Sequence, residues 1–277
     1  MHEIELSAGI IEYEDTGGRG PILVLLHGLL MDGSVWHHVV RELRTDHRCV
    51  VPTLPVGSHR QSMRADADLS FHGLAKLQAE FLEALDLRDV TLVGNDLGVF
   101  QVTASEYPER LARLVITSCE AFENIPSGLP GHTIAFAAKI PGGLNLLVQP
   151  LRLRALRRLP LAFGWMAKRP IPNAITDAWV RPLLSQREIR RDLLKYLRHS
   201  NKGDLLAATE RLRSFDRPAL VVWAKEDRMM PPAHGRQLAE LLPHARLVEI
   251  SDSFTLIPLD QPDTLAHTIR QFIRDTP

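Results

Sequence analysis

Cysteine is scarce in this chain, with Cys49 and Cys119 alone among 277 residues. Two thiols, each at one end of an apolar run, argue against a disulfide scaffold or a cysteine-ligated metal framework and for two buried side chains. Long apolar runs are missing as well. The longest, 219–224, is six residues, against the roughly 18 needed to cross a bilayer, so no membrane-spanning helix is expected. The opening Met1-His2-Glu3-Ile4-Glu5 lacks the basic and apolar regions of a secretory signal. These features predict a soluble cytoplasmic protein without integral membrane contact. Neither sign of charge is in excess: 33 Lys and Arg stand against 33 Asp and Glu. No global field would draw the chain onto a polyanion, and nucleic acid is not an expected partner. No repeat or low-complexity tract occurs, and 45% hydrophobic with 24% charged residues is the balance of a chain that folds throughout.

Short apolar runs set the architecture. Residues 3–14 alternate apolar and polar side chains around Ala8-Gly9, as in a half-exposed antiparallel hairpin. Runs at 22–26, 49–54, 90–93, 114–117 and 220–223 are continuous and bounded by Gly, Pro or Asp, as expected of parallel strands covered on both faces, with a weaker one at 247–250. Segments 34–43, 71–85, 99–107, 233–242 and 264–273 carry apolar residues at helical spacing. The alternation predicts a doubly wound, mostly parallel α/β sheet. One gap of about 95 residues between strands is far too long for a crossover and predicts an inserted helical subdomain. The division is therefore a core of 1–120 and 215–277 with a cap of 121–214. Within the cap, 146–168 mixes Leu with Arg152, Arg154, Arg157 and Arg158. This pattern reads as a solvated helix face, with contact to a membrane surface or an acidic ligand as the other reading.

The chemistry concentrates at Val90-Thr91-Leu92-Val93-Gly94-Asn95-Asp96-Leu97-Gly98-Val99, a buried strand entering Gly-x-Asp-x-Gly and then a helix. Such a turn strains its central residue and tolerates only small neighbours, so Asp96 would project above the sheet. The residues fit either a nucleophile elbow with Asp in the serine position or a glycine-rich turn with a helix-capping Asp. With His27-Gly28 closing the first core strand, Val222-Trp223-Ala224-Lys225-Glu226-Asp227 followed by Pro231, and the large insertion in its place, the chain resembles the α/β-hydrolase fold family over nearly its whole length. The resemblance implies a helical cap over the core, Asp227 as the acid, and an oxyanion hole formed by the backbone N–H groups of Leu29 and Leu97. An aspartate nucleophile is similar to the haloalkane dehalogenase, fluoroacetate dehalogenase and epoxide hydrolase branches. In these, a carboxylate displaces a leaving group at carbon and a histidine-activated water hydrolyses the resulting ester.

The base of that scheme has no counterpart. The family's histidine lies five residues before an acidic-Gln-Pro ending, and counting back from Asp260-Gln261-Pro262 reaches Thr255. A threonine hydroxyl does not titrate near neutrality and is no free-standing base. The possible substitutes are Asp227 acting through water, since a buried carboxylate beside a second one is raised toward neutrality, or one of His27, His37, His38, His59, His132 and His234, each also readable as a structural or surface residue. The branch signatures are incomplete too. Leu97 stands where haloalkane dehalogenases carry Trp and fluoroacetate dehalogenases Arg, and the cap holds one tyrosine, Tyr196, where epoxide hydrolases use two.

The expected protein is an enzyme acting on a small apolar organic substrate through Asp96, Asp227 and Thr255. Leu29 and Leu97 form the oxyanion hole, and His27, Asn95 and Trp36 line the pocket. Ester, epoxide or carbon–halogen hydrolysis leads. A lyase, isomerase or cyclase, or an inactive ligand-binding protein, is the alternative. No cofactor and no metal are implied, and a homodimer through the insertion stays open without support from any particular residue.

Overall fold

The computed structural model describes residues 1–276. Strands β1 (His2–Leu6) and β2 (Gly9–Asp15) form the expected hairpin, and β3 (Ile22–Leu26) begins the core. A 3-10 turn, Gly33–Trp36, leads into α1 (His37–Leu43), so the expected helix from 34 is two pieces. Then follow β4 (Arg48–Pro52), α2 (Phe71–Ala84), β5 (Val90–Asp96), α3 (Val99–Glu106) and β6 (Leu111–Cys119). Five helices come next: α4 (Gly128–Lys139), α5 (Gly143–Val148), α6 (Asn173–Ser185), α7 (Arg187–His199) and α8 (Lys202–Arg211). The chain returns through β7 (Ala219–Ala224), α9 (Pro232–Leu241), β8 (Ala245–Ile250), α10 (Ile257–Asp260) and α11 (Pro262–Asp275).

The eight strands run in the order β1-β2-β4-β3-β5-β6-β7-β8. The β1–β2 and β2–β4 pairs are antiparallel and the rest parallel. Alternate side chains of each central strand enter opposite layers, as the two-residue period of a strand requires. Val24, Leu92, Leu114 and Val221 pack with α2 and α3 on one face, while Leu23, Val93, Val115 and Leu220 pack with α1 and α11 on the other. Both faces being apolar is why these strands read as unbroken runs. Cys49 and Cys119 are buried free thiols, one in each layer.

Segment 146–168 departs from the expected helix face. Pro150 and Pro160 lack the N–H that a helix needs, and the chain instead makes 3-10 turns at Gln149–Arg152 and Arg154–Arg158. Arg157 turns inward, buried, and donates to Leu151 O and the Asp177 carboxylate, which Arg154 also meets.

Polar pins fix the cap to the core. Trp179 Nε1 in α6 donates to Asp32 Oδ1 (3.1 Å) and Ser34 Oγ (2.9 Å). In α7, fully buried Asp192 accepts from Met63 N (2.8 Å) and faces His59 Nε2 (3.3 Å), while Arg191 binds Asp192 and Met63 O. Burial pushes the Asp192 carboxyl up, but His59, the Met63 N–H and Arg191 outweigh it and the net shift is downward. Its contribution to stability is therefore complete above the ordinary carboxylate range and is lost as pH falls through the depressed value. Asp192→Ala leaves the Met63 N–H without its acceptor and should lower unfolding free energy by about 2–4 kcal/mol in denaturant titration at pH 7. An unchanged midpoint would remove this pin from the account.

Candidate active site

β5 runs three residues beyond the expected end and delivers Asp96 with φ 68°, a left-handed backbone for a non-glycine residue. The glycines around it are fixed by contact. A Cβ at Gly94 would lie 2.0 Å from Phe100 Cδ1, and one at Gly28 would lie 2.2 Å from Asp96 Oδ2. The missing Cβ at 28 lets the carboxylate reach the backbone, where Leu29 N–H donates to Asp96 Oδ2 at 2.9 Å. Leu97 N–H is turned to Asn95 O at 2.9 Å. Of the two expected oxyanion donors, Leu29 thus meets the carboxylate and Leu97 closes the turn.

Asp227 lies in the loop after β7. Its Oδ1 accepts from Met229 N and Met230 N (2.9 Å each) and from Thr255 Oγ1 (2.7 Å), whereas its buried Oδ2 has no hydrogen-bond partner. Thr255 is fully buried and its carbonyl accepts from Asn95 Nδ2 at 2.9 Å. Of the expected trio, Asp227 and Thr255 bond to each other, and Thr255 is tied through its carbonyl to Asn95, the chain neighbour of Asp96; all three lie at or just beyond the carboxyl ends of their strands, where open α/β sheets place their sites.

The three expected pocket residues serve the scaffold instead. Asn95 points into the core and also donates to Thr117 Oγ1 and Ser118 O. His27 is buried, its Nε2 accepting from Leu54 N (2.8 Å) and its Nδ1 donating to Gly28 O (2.9 Å), and burial lowers it to about 4. It is a neutral ring that shapes the loop carrying Gly28 and Leu29. Trp36 is fully buried in the layer under α1, a packing role that follows from its size. The remaining histidines are engaged elsewhere. His37 pairs with Glu14, His59 with Asp192 and His234 with Glu123, and His38 and His132 are exposed.

A cavity of about 280 Å³ opens between sheet and cap above Asp96. Its walls are mainly apolar, with Leu29, Leu97, Ile134, Leu147, Phe163 and Met229 among them. Among the described residues no Lys, Arg, His, Asn or Trp lines it; the titratable groups are Asp96, Glu120 and Tyr196. Glu120 escaped the sequence reading. It directly follows β6, whose Cys119 pairs in register with Asp96, and its N–H donates to Asp96 O at 2.8 Å. Its signal was position at a strand's carboxyl end beside the elbow strand.

Burial without a cation governs the protons here. Burial pushes Asp96 up to about 7, opposed by the Leu29 hydrogen bond and reinforced by the charge of Asp227. Burial and then the charge of Asp96 push Glu120 up to about 8, against the N–H groups of Gly98 and Ser127. Burial likewise raises Asp227, and raises Tyr196 well above the usual phenol range. The charge of either carboxylate opposes ionisation of its neighbour, so the pair sheds its two protons in separate steps.

The sequence profile of the alpha/beta hydrolase fold family matches residues 21–262. "Uncharacterized hydrolase YugF" of Bacillus subtilis is 26% identical over 95% of this chain and 92% of its own length. A haloalkane dehalogenase of Mesorhizobium japonicum is 22% identical over 98% of this chain and 90% of its own. The crystal structure of the haloalkane dehalogenase DbeA from Bradyrhizobium elkani superposes with a TM-score of 0.81 at 18% identity, covering 99% of this chain and 97% of that one.

Both cavity carboxyls are raised above their unfolded-state values, so the unfolded chain releases its protons first and stability falls as pH rises from about 4.5 through about 8. Glu120→Gln should match the wild type near pH 5 and exceed it at pH 9 by on the order of 2–4 kcal/mol in denaturant unfolding. Equal stabilities at pH 9 would show that Glu120 ionises freely.

Proposed function

This chain belongs to the alpha/beta hydrolase fold family, and from that premise we propose that it hydrolyses small apolar substrates through Asp96, with Glu120 doing the proton transfers that a histidine would otherwise perform. The observation that carries this reading is the pairing of two protonatable carboxyls, Asp96 and Glu120, on one apolar cavity without a cationic side chain. Thr255 occupies the place of the family's base and its hydroxyl is committed to Asp227. Asp227 does not line the cavity, so Glu120 is the better placed base.

The geometry divides the work within Asp96. Oδ2 is held by Leu29 N–H, which leaves Oδ1 to attack. Between pH values of about 7 and about 8 the form with Asp96 ionised and Glu120 protonated has its largest share, and this is the combination needed by a substrate whose leaving atom is oxygen. For an epoxide, Oδ1 bonds to carbon as the C–O bond breaks, and the Glu120 proton passes to the opening oxygen. Glu120, now a carboxylate, takes a proton from water, and the hydroxide adds to the Asp96 ester carbonyl. Oδ2 becomes the oxyanion on Leu29 N–H, an interaction that in comparable sites contributes about 10²–10³ in rate. Collapse releases the alkoxide as the proton of the added hydroxyl passes to it, which leaves Asp96 a carboxylate and Glu120 protonated, giving a diol and the starting enzyme. An activated ester meets the same groups. A carbon–halogen bond fits less well, since no side-chain N–H lines the cavity to hold the departing halide.

Intact-protein mass spectra after incubation with aryl and alkyl epoxides, activated esters and alkyl halides test the reading, with product assayed in the same tubes. Wild type should form product, Asp96→Asn none, and Glu120→Gln should accumulate an alkyl ester on Asp96 with the alkyl halides, whose departure needs no proton. Turnover by Asp96→Asn would overturn the assignment. Wild-type kcat/KM should rise through about 7 and fall through about 8, because Asp96 must be ionised and Glu120 protonated. Adding Thr255→His to Glu120→Gln sets an imidazole beside Asp227 and should speed breakdown of the trapped ester at least tenfold.

A further inference from the structure

Exposed apolar side chains are concentrated in one part of the cap. Of the nine large hydrophobics exposed among the described residues, seven lie between 129 and 161, with Leu146 at 73%, Phe136 at 66% and Leu153 at 63% exposure. Their segment is also the cavity wall. In α4, Ile134 lines the cavity while Leu129 and Phe136 face solvent, and Leu159 and Leu161 are both exposed and part of the lining. A helix apolar on its inner and outer sides belongs against a second apolar phase.

Charge says which phase. From 124 to 176 the sequence holds seven Lys and Arg and no Asp or Glu, within a chain of zero formal charge. Arg154 and Arg157 share Asp177, which balances one of the two charges, while Lys168 and Arg169 are balanced by Glu226 and Asp252. Lys139, Arg152 and Arg158 are exposed, and no carboxylate pairs with them among the described residues. A second copy of this chain would set like charges face to face across the patch, which opposes self-association. Exposed leucines and phenylalanine interspersed with unpaired cations match an anionic bilayer, whose headgroups meet the cations while the acyl region receives the apolar side chains.

We propose that the face of the cap formed by α4, α5 and the turns through Leu161 docks on anionic lipid bilayers, so that apolar substrate passes from the acyl phase into the cavity past Leu159 and Leu161. The surface is separate from the Asp96 chemistry, and a test that reads binding alone separates failure of one from failure of the other. Flotation of the full-length protein with phosphatidylcholine vesicles, with and without phosphatidylglycerol, is the measurement. Wild type should float with the phosphatidylglycerol vesicles, at least tenfold better than with neutral ones, and the preference should fade as salt is added. Phe136→Asp with Leu146→Asp should abolish flotation while keeping the wild-type melting midpoint. Arg152→Glu with Arg158→Glu should remove the preference for anionic lipid. The proposal is overturned if wild type floats with neither vesicle or if charge reversal leaves the preference intact. It is equally overturned if gel filtration shows a dimer that the Phe136/Leu146 pair converts to monomer, since a second copy would then cover the face.

Discussion

One close approach organises the site: the Asp96 carboxylate lies against the backbone at Gly28 and Leu29. The 2.9 Å bond from Leu29 N–H exists because residue 28 has no Cβ, which would otherwise sit 2.2 Å from Oδ2. The same approach requires β5 to end in a left-handed residue, which costs about 1–3 kcal/mol for a non-glycine side chain. Neighbours that over-determine the turn hold it there. Asn95 bonds to Thr117, Ser118 and Thr255, Glu120 N–H caps Asp96 O, and His27 locks the facing loop to Leu54. Residues that resemble substrate contacts in one dimension are the braces of this strained turn in three.

The electrostatics follow from what the braces leave out. Carboxylates elsewhere in the chain, such as Asp177 and Asp252, meet arginine or lysine and are held low. Among the described residues around the cavity no cation performs that service, and the carboxyls answer burial by keeping their protons. Two acids near neutrality in one apolar space are thus a consequence of the lining. Under the proposed reading, the charge that Asp96 takes on when it ionises is also what preserves the proton on Glu120, so the nucleophile sets the state of its own acid.

The strands and the elbow were legible in the sequence because both are local: a parallel strand is a short apolar run, and a sharp turn needs its glycines nearby. The meeting of Asp227 with Thr255 was legible through family spacing. Glu120 was not, because one acid among many gains meaning only from the register that sets Cys119 beside Asp96 and from the cap folded above it. His27, Asn95 and Trp36 were misplaced for the complementary reason. A polar or aromatic residue near an elbow looks like a pocket residue until its hydrogen bonds or its packing layer are known. The 146–168 pattern misled because helical spacing persisted across prolines that cannot continue a helix.

The absence of a histidine from the cavity is consistent with the same constraint. His27 shows what burial here does to an imidazole, which it holds at about 4 and therefore uncharged. An imidazolium in the cavity would have to be paid for by a desolvated ion pair, which is costly unless every remaining donor finds an acceptor. A carboxylic acid is neutral when it holds its proton and can still donate it, so it serves an apolar cavity at lower desolvation cost. Asp227 Oδ2, buried and unpartnered beside Thr255, marks where an imidazole N–H could bond. Under the proposed reading, the choice of acid and the choice of substrate are then two expressions of one dielectric environment, and changing either would require rebuilding the wall that the cap provides.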